Sequence, residues 1–413
     1  MTAEIAILNR TAVALAADSV VTLAGEGRRK TYDSAEKIFE LSKYQPIGLM
    51  LYNNAQFMNA PLEVLIRNYR EGLSARKFAQ LVQVWPDLEK FLLGFKHSRE
   101  DELDHFKGMV IAELGGIRDI MLDHMLKGVS RRARKGQETL ESLVIRHMKI
   151  RQGEAEARPL KDFSAAATLE AFTTDYGGEL DDLAKASLRY VEIKGKVREA
   201  LHAMMYAVIR STIRSTAFTG IVLAGFGTDD IFPTLYAVEI DGLYFGQFRI
   251  LETKLVDIDR RGETAAVVPF AQKDMPERFI FGIDHEFEGA VERLATSLVG
   301  QVIDQKKRAF AGGLGEKVKA TAAEQFREGI DRLKKRNAHN LNSVVNHLSK
   351  KELGEVASHL VELTSRKRRY SNELETVGGP IDVAILTRNE GFVWVRRKHY
   401  FDPEMNPRYR QRQ

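Results

Sequence analysis

Thr2, Asp18 and Lys37 place a hydroxyl, a carboxylate and an amine in the opening segment of this chain. A threonine hydroxyl is a poor nucleophile at neutral pH and needs a base beside it. Removal of Met1 would leave Thr2 as the N-terminal residue, with a free α-amine next to its own hydroxyl. Such an amine titrates at about 7.7–8.0, so near neutrality it can accept the hydroxyl proton directly or through a water. A neighbouring ammonium lowers that value further by like-charge repulsion, and Lys37 is the candidate. Asp18 would hold Lys37 charged and oriented, and backbone N–H groups would stabilise the oxyanion of a tetrahedral intermediate. These are the parts for amide hydrolysis without histidine or cysteine. On this scheme, replacing Lys37 with alanine lowers turnover sharply and leaves the fold intact. The small Thr2 side chain and Ala3 favour removal of Met1.

Short strands must position these groups. Residues 3–8 and 12–17 are apolar and rich in alanine, valine and isoleucine, and the polar Asn9-Arg10-Thr11 reads as a tight turn between them. Lys37–Leu41 and Pro46–Tyr52 read as two more strands, with a loop at Gly25–Gly27. From Pro61 to about Thr216 the pattern is helical, most clearly over Leu180–Ser215, with a polar loop at Gly153–Asp162. Strand character returns at Ile221–Phe226, Thr234–Ile240, Leu243–Ile250, Ala265–Val268 and Phe279–Gly282, and Asp241-Gly242 is a hairpin signal. Helices follow from about Glu286 to Arg369, interrupted at Gly312–Gly315. Ile381–Thr387 and Phe392–Arg397 form a closing hairpin around Asn389–Gly391, and Pro403–Gln413 is a polar tail. Strands drawn from the start, middle and end predict one layered domain over 1–413, with helical insertions at 70–215 and 300–345.

Composition narrows the function classes. The 413 residues contain no cysteine, which excludes thiol nucleophiles, disulfides and thiolate zinc sites. No apolar run approaches the roughly 20 residues that span a bilayer. Ala12–Ala17 is too short for a secretory core and only Arg10 precedes it as a basic residue, so the chain is expected to be cytoplasmic, with no membrane partner. The net charge of +5 is concentrated at Arg131–Lys135 and Arg366–Arg369. No nucleic-acid-binding motif accompanies these clusters, and solvated surface is the expectation. Gly220–Gly227 and Gly312–Lys317 lack the residues of a phosphate loop and read as strand-end geometry and a helix break. His339 and His347 read as surface residues. Neither a cofactor nor a metal is expected.

The ordered set of Thr2, Ala-Ala-Asp18-Ser and Glu-Lys37-Ile-Phe resembles the proteasome β-type peptidases, the threonine branch of the N-terminal-nucleophile (Ntn) hydrolases, including their bacterial single-type relatives. The resemblance resumes at Ile221–Phe245, at Leu348–Leu353 and at Val377–Thr387, and covers about half the chain. It implies an α+β fold, the four-layer αββα sandwich, with Thr2 at the mouth of the cleft between sheets. It also implies a threonine peptidase acting on polypeptides, a homo-oligomer and an ATP-dependent unfoldase partner. The family's oxyanion amide is usually a glycine at the end of the strand matching Gly48–Tyr52. Here Asn53 stands there, a residue tolerant of unusual backbone angles. A family serine near Phe281-Gly282 is replaced by Ile283-Asp284, and the family's acid and serine before the double glycine are missing. Asp284, Glu373 and Glu375 are candidates for that acid. Inactive relatives occur in proteasome rings, so a non-catalytic scaffold is the alternative, and an amidase acting on small molecules is a third.

Overall fold

The computed structural model describes residues 2–25, 28–32, 35–130, 139–163, 167–306, 313–371, 377–399, 401–402 and 404–406. Within them the chain is a mixed α+β fold with antiparallel sheets. It opens with β1 (Ala3–Asn9), β2 (Val13–Ala17), β3 (Val21–Gly25), β4 (Arg28–Tyr32), β5 (Ile38–Glu40), β6 (Ile47–Asn53), β7 (Gln56–Phe57) and β8 (Ala60–Pro61). Six helices follow: α1 (Leu62–Leu73), α2 (Val84–Leu93), α3 (Arg99–Ser130), α4 (Leu140–Glu156), α5 (Leu169–Ser187) and α6 (Gly195–Ile209). Strands β9 (Thr219–Gly225), β10 (Thr234–Tyr244), β11 (Gln247–Asp257) and β12 (Ala265–Ala271) come next. Helices α7 (Asp274–Phe281), α8 (His285–Gln305), α9 (Leu314–Val345) and α10 (Lys350–Arg369) lead to the closing strands β13 (Asp382–Thr387) and β14 (Gly391–Arg396).

Two five-stranded sheets organise the molecule. One has the order β12-β1-β2-β13-β14 and the other β11-β10-β9-β6-β5. Side chains alternate across a strand, so each central strand serves two packing surfaces. In the first sheet Ala6, Leu8, Val13 and Leu15 meet Met50, Val222, Ala224 and Leu235 of the second, forming the layer between sheets. The opposite residues, Ile5, Ile7, Ala14 and Ala16, meet Leu353, Ala357, Leu360 and Val361 of α10. That i, i+4, i+7, i+8 spacing is the apolar stripe of a surface helix, and each buried leucine or valine stabilises the packing by about 1.5–3 kcal/mol. Ser349 and Glu352 cap α10 reciprocally, worth about 1 kcal/mol. The outer face of the second sheet, with Leu49, Leu51, Ile221 and Leu223, is covered by Leu65, Ile66 and Tyr69 of α1 and by Leu88 of α2. Helices α3–α6 build a separate core around Phe106, Phe172, Tyr176, Leu201 and Met204, into which Tyr244 of β10 reaches.

Several sequence expectations are corrected. Asp241-Gly242 is not the hairpin turn. The β10–β11 register shifts around Ile240 and absorbs these residues as bulges. The chain turns at Phe245 and Gly246, whose φ values of 54° and 74° suit a two-residue type I′ hairpin. Asp241 is instead buried, accepting from Ser215 N at 2.8 Å and lying 2.9 Å from His105 Nε2. It also pairs with the buried Arg249. The Arg249 guanidinium donates to Val208, Ile209, Ser211 and Ile213 carbonyls, satisfying the end of α6. Phe279–Gly282 is not a strand: it ends α7, with Gly282 at φ 81° as a left-handed cap. Gly153 lies inside α4, and the helix expected over Leu180–Ser215 is broken between α5 and α6. The hairpin β3–β4 and the short strands β7 and β8 were not legible from periodicity.

Gly220 and Gly225 show why glycine punctuates β9. A Cβ on Gly220 would lie 2.0 Å from the Tyr52 ring, and one on Gly225 would lie 1.9 Å from the Pro46 carbonyl oxygen. Of the two basic clusters, Arg131–Lys135 falls outside the described residues. In the other, Lys367 and Arg368 at the end of α10 are engaged with Asp274 and Gln272, and Arg366 with Glu362. His339 and His347 are exposed. Among the described residues, no helix is long and apolar enough to cross a membrane.

Candidate functional site

Antiparallel pairing of β1 and β2 sets Glu4 opposite Ala17, which brings Asp18 back beside the start of β1. Asp18 Oδ1 accepts from Ala3 N at 3.2 Å, and the Asp18 N–H donates to Ala3 O at 3.2 Å. Asp18 Oδ2 accepts from Gly378 N at 3.0 Å, on the approach to β13. Lys37, just before β5, extends its amine to Asp18 Oδ1 at 2.5 Å. Asn53, at the end of β6, donates its backbone N–H to Thr2 Oγ1 at 3.3 Å. All three side chains named from sequence, Thr2, Asp18 and Lys37, are therefore in one buried cluster with the Asn53 amide.

The residue that links them was not foreseen. Glu4 Oε2 accepts a hydrogen bond from Thr2 Oγ1 at 3.1 Å, and Glu4 Oε1 lies 3.3 Å from Lys37 Nζ. Glu4 is 0% exposed. Burial pushes its carboxyl up to about 7; Lys37 works against this shift and Asp18 adds to it. The signal was present in the strand pattern. Glu4 shares its parity with Ala6 and Leu8, which face the layer between sheets. A carboxylate on that face must meet a cation or hydrogen-bond donors, or be neutral.

Asn53 occupies the left-handed region at φ 66°, a conformation that glycine adopts without cost and asparagine tolerates better than most residues. Its side chain holds the backbone there, donating to Phe218 O at 2.6 Å and Thr216 O at 3.2 Å. The amide direction that a glycine would supply freely is thus set by a tethered asparagine.

Asp284 does not serve the cluster. It caps α8, accepting from Phe287 N at 2.9 Å, and it pairs with Arg278. Glu373 and Glu375 lie outside the described residues, as does Met1. Nor does the structure support the expectation that Lys37 can be replaced without affecting the fold. It is 4% exposed and neutralises two carboxylates that are themselves buried. Among the described residues, no group of three or more histidine, aspartate or glutamate side chains is arranged to hold a metal ion.

The cluster contains a nucleophile precursor, a hydroxyl acceptor, a buried cation and a fixed amide donor. That set can deprotonate a hydroxyl and stabilise an adjacent oxyanion. No protein-family model and no curated protein matches the chain.

Proposed function

We propose that this protein is a threonine hydrolase that cleaves polypeptide amide bonds through Thr2 after Met1 is removed. The carrying observation is a continuous set of contacts in which Thr2 Oγ1 meets Glu4 and the Asn53 N–H, Glu4 meets Lys37, and Lys37 meets Asp18. On this reading Thr2 Oγ1 attacks the carbonyl carbon, the Asn53 N–H faces the oxyanion, and Lys37, held by Asp18, supplies positive potential. The order helix, sheet, sheet, helix supports reading the fold as the four-layer sandwich of the Ntn hydrolases. Assembly into a homo-oligomer, an ATP-driven unfoldase as partner and a cytoplasmic location belong to the same proposal. Exposed Phe287, Leu294, Leu298 and Val302 along α8 support assembly, because their spacing forms one apolar stripe.

The test compares peptide cleavage by the wild type, with its N-terminus freed, and by Thr2→Ala. Loss of cleavage in the variant is expected; equal cleavage would remove Thr2 from the reaction. One observation favours a second reading, a non-catalytic scaffold: Thr2 is only 2% exposed. Failure of a β-lactone to acylate Thr2 in the freed wild type would favour the scaffold.

A further inference from the structure

The scheme read from sequence gives the Thr2 α-amine the role of base. The geometry supplies another acceptor. Thr2 Oγ1 already donates to Glu4 Oε2 at 3.1 Å, and the other Glu4 oxygen lies 3.3 Å from the Lys37 amine. We propose that Glu4 is a catalytic residue, the base that receives the Thr2 hydroxyl proton in place of the α-amine. This rests on the preceding reading that Thr2 is the nucleophile, and departs from it on two points: which group activates the hydroxyl, and whether Met1 must first be removed.

The proton inventory closes on groups in the cluster. In acylation the Thr2 O–H bond breaks, its proton passes to Glu4 Oε2, and Oγ1 bonds to the substrate carbonyl carbon. The carbonyl π pair moves to the oxygen facing the Asn53 N–H. When the intermediate collapses, the C–N bond breaks and the amine leaves with the proton from Glu4. Water then attacks the threonyl ester and gives a proton to Glu4. The ester C–O bond breaks, and Glu4 returns the proton to Oγ1. The sum is amide plus water giving acid plus amine, with no further reactant.

Three features suit Glu4 to this role. It touches the reacting oxygen without an intervening atom. Its burial raises the carboxyl to about 7, so near neutral pH it can both take and return a proton, the condition under which a general base is most effective. The charged groups against it are Lys37 and Asp18, while its partner on β12 is the non-titrating Phe270. When Glu4 accepts the proton it becomes neutral, and the Lys37–Asp18 pair remains as a balanced ion pair at 2.5 Å. An N-terminal amine is not required for the step, so a chain that keeps Met1 remains competent.

The experiment measures acylation of the Thr2 hydroxyl by a β-lactone, which opens to a threonyl ester, followed by intact mass and peptide mapping. Wild type without Met1, wild type retaining Met1, and Glu4→Gln are compared. The expected result is acylation of both wild-type forms and a rate about 100-fold or more lower in Glu4→Gln. A wild-type rate in Glu4→Gln overturns the proposal. So does acylation that requires removal of Met1, an arm that leaves Glu4 unaltered and holds even if the variant does not fold. Absence of acylation in both wild-type forms overturns the hydrolase reading itself, and the role of Glu4 with it.

Discussion

Asp18 and Gly378, separated by 360 residues, are joined by a 3.0 Å hydrogen bond from the glycine amide to Asp18 Oδ2. The same carboxylate holds Lys37 at 2.5 Å through Oδ1. The candidate site is therefore built at a junction between the first and last segments of the chain. β13 pairs with β2 in antiparallel register, Asp382 opposite Ala17, and delivers the glycine amide to the acid. A contact of such sequence separation carries a large loop-closure cost before it forms. The local β1–β2 hairpin alone cannot complete this cluster.

Lys37 is the cation for both Glu4 and Asp18, each essentially inaccessible to water. Removing one member of a buried ion cluster leaves uncompensated charge, at a cost of about 3–5 kcal/mol. Lys37→Met should lower stability by that amount, read by urea denaturation at neutral pH. Unchanged stability would show that the two carboxylates do not rely on the amine.

Asn53 offers a test of backbone conformation. Its φ of 66° is favourable for glycine and costs other residues roughly 1–2 kcal/mol. Asn53→Gly and Asn53→Ala both lose the side-chain bonds to Thr216 and Phe218, so their difference isolates the backbone term. Chemical denaturation should find the glycine variant more stable than the alanine variant by about 1 kcal/mol. The reverse order would contradict the left-handed geometry that aims the amide at Thr2.

Glu4 makes stability depend on pH in a defined direction. Burial raises its carboxyl from 4.5 to about 7 in the folded chain. Its contribution is fully present below pH 4.5 and is lost as pH rises through about 7. The stability of wild type relative to Glu4→Gln should therefore fall between pH 5 and pH 8, by on the order of 3 kcal/mol. A difference independent of pH would show that Glu4 titrates normally.

Asp241 behaves in the opposite sense. Burial alone would raise its carboxyl, but the His105 hydrogen bond, the Arg249 charge and the Ser215 hydroxyl hold it down at about 2. Its contribution is present above pH 3.8 and lost as pH falls through about 2. Asp241→Asn should destabilise the protein by about 3–5 kcal/mol at neutral pH, because Arg249 is left buried without its counter-charge. The gap to wild type should narrow in acid unfolding below pH 3.8. A constant gap would assign the loss to packing instead of charge.

The sequence by itself determined the elements whose pattern is local. The apolar runs at 3–8 and 12–17 and the polar turn between them specify a hairpin, and the helical stretch read from about Glu286 to Arg369 contains α10. Thr2, Asp18 and Lys37 were legible because their residue types carry chemistry. Asp241-Gly242 misled because a turn dipeptide reports local backbone preference, whereas the burial of Asp241 against Arg249 is a contact between elements. Only the tertiary structure decided that Glu4 joins Thr2 to Lys37, that Asp284 caps a helix, and that the Gly378 amide meets Asp18. Periodicity records which face of an element avoids water. It does not record which distant polar group arrives at that face, because that depends on how sheets pack and on the charge a buried carboxylate must find there.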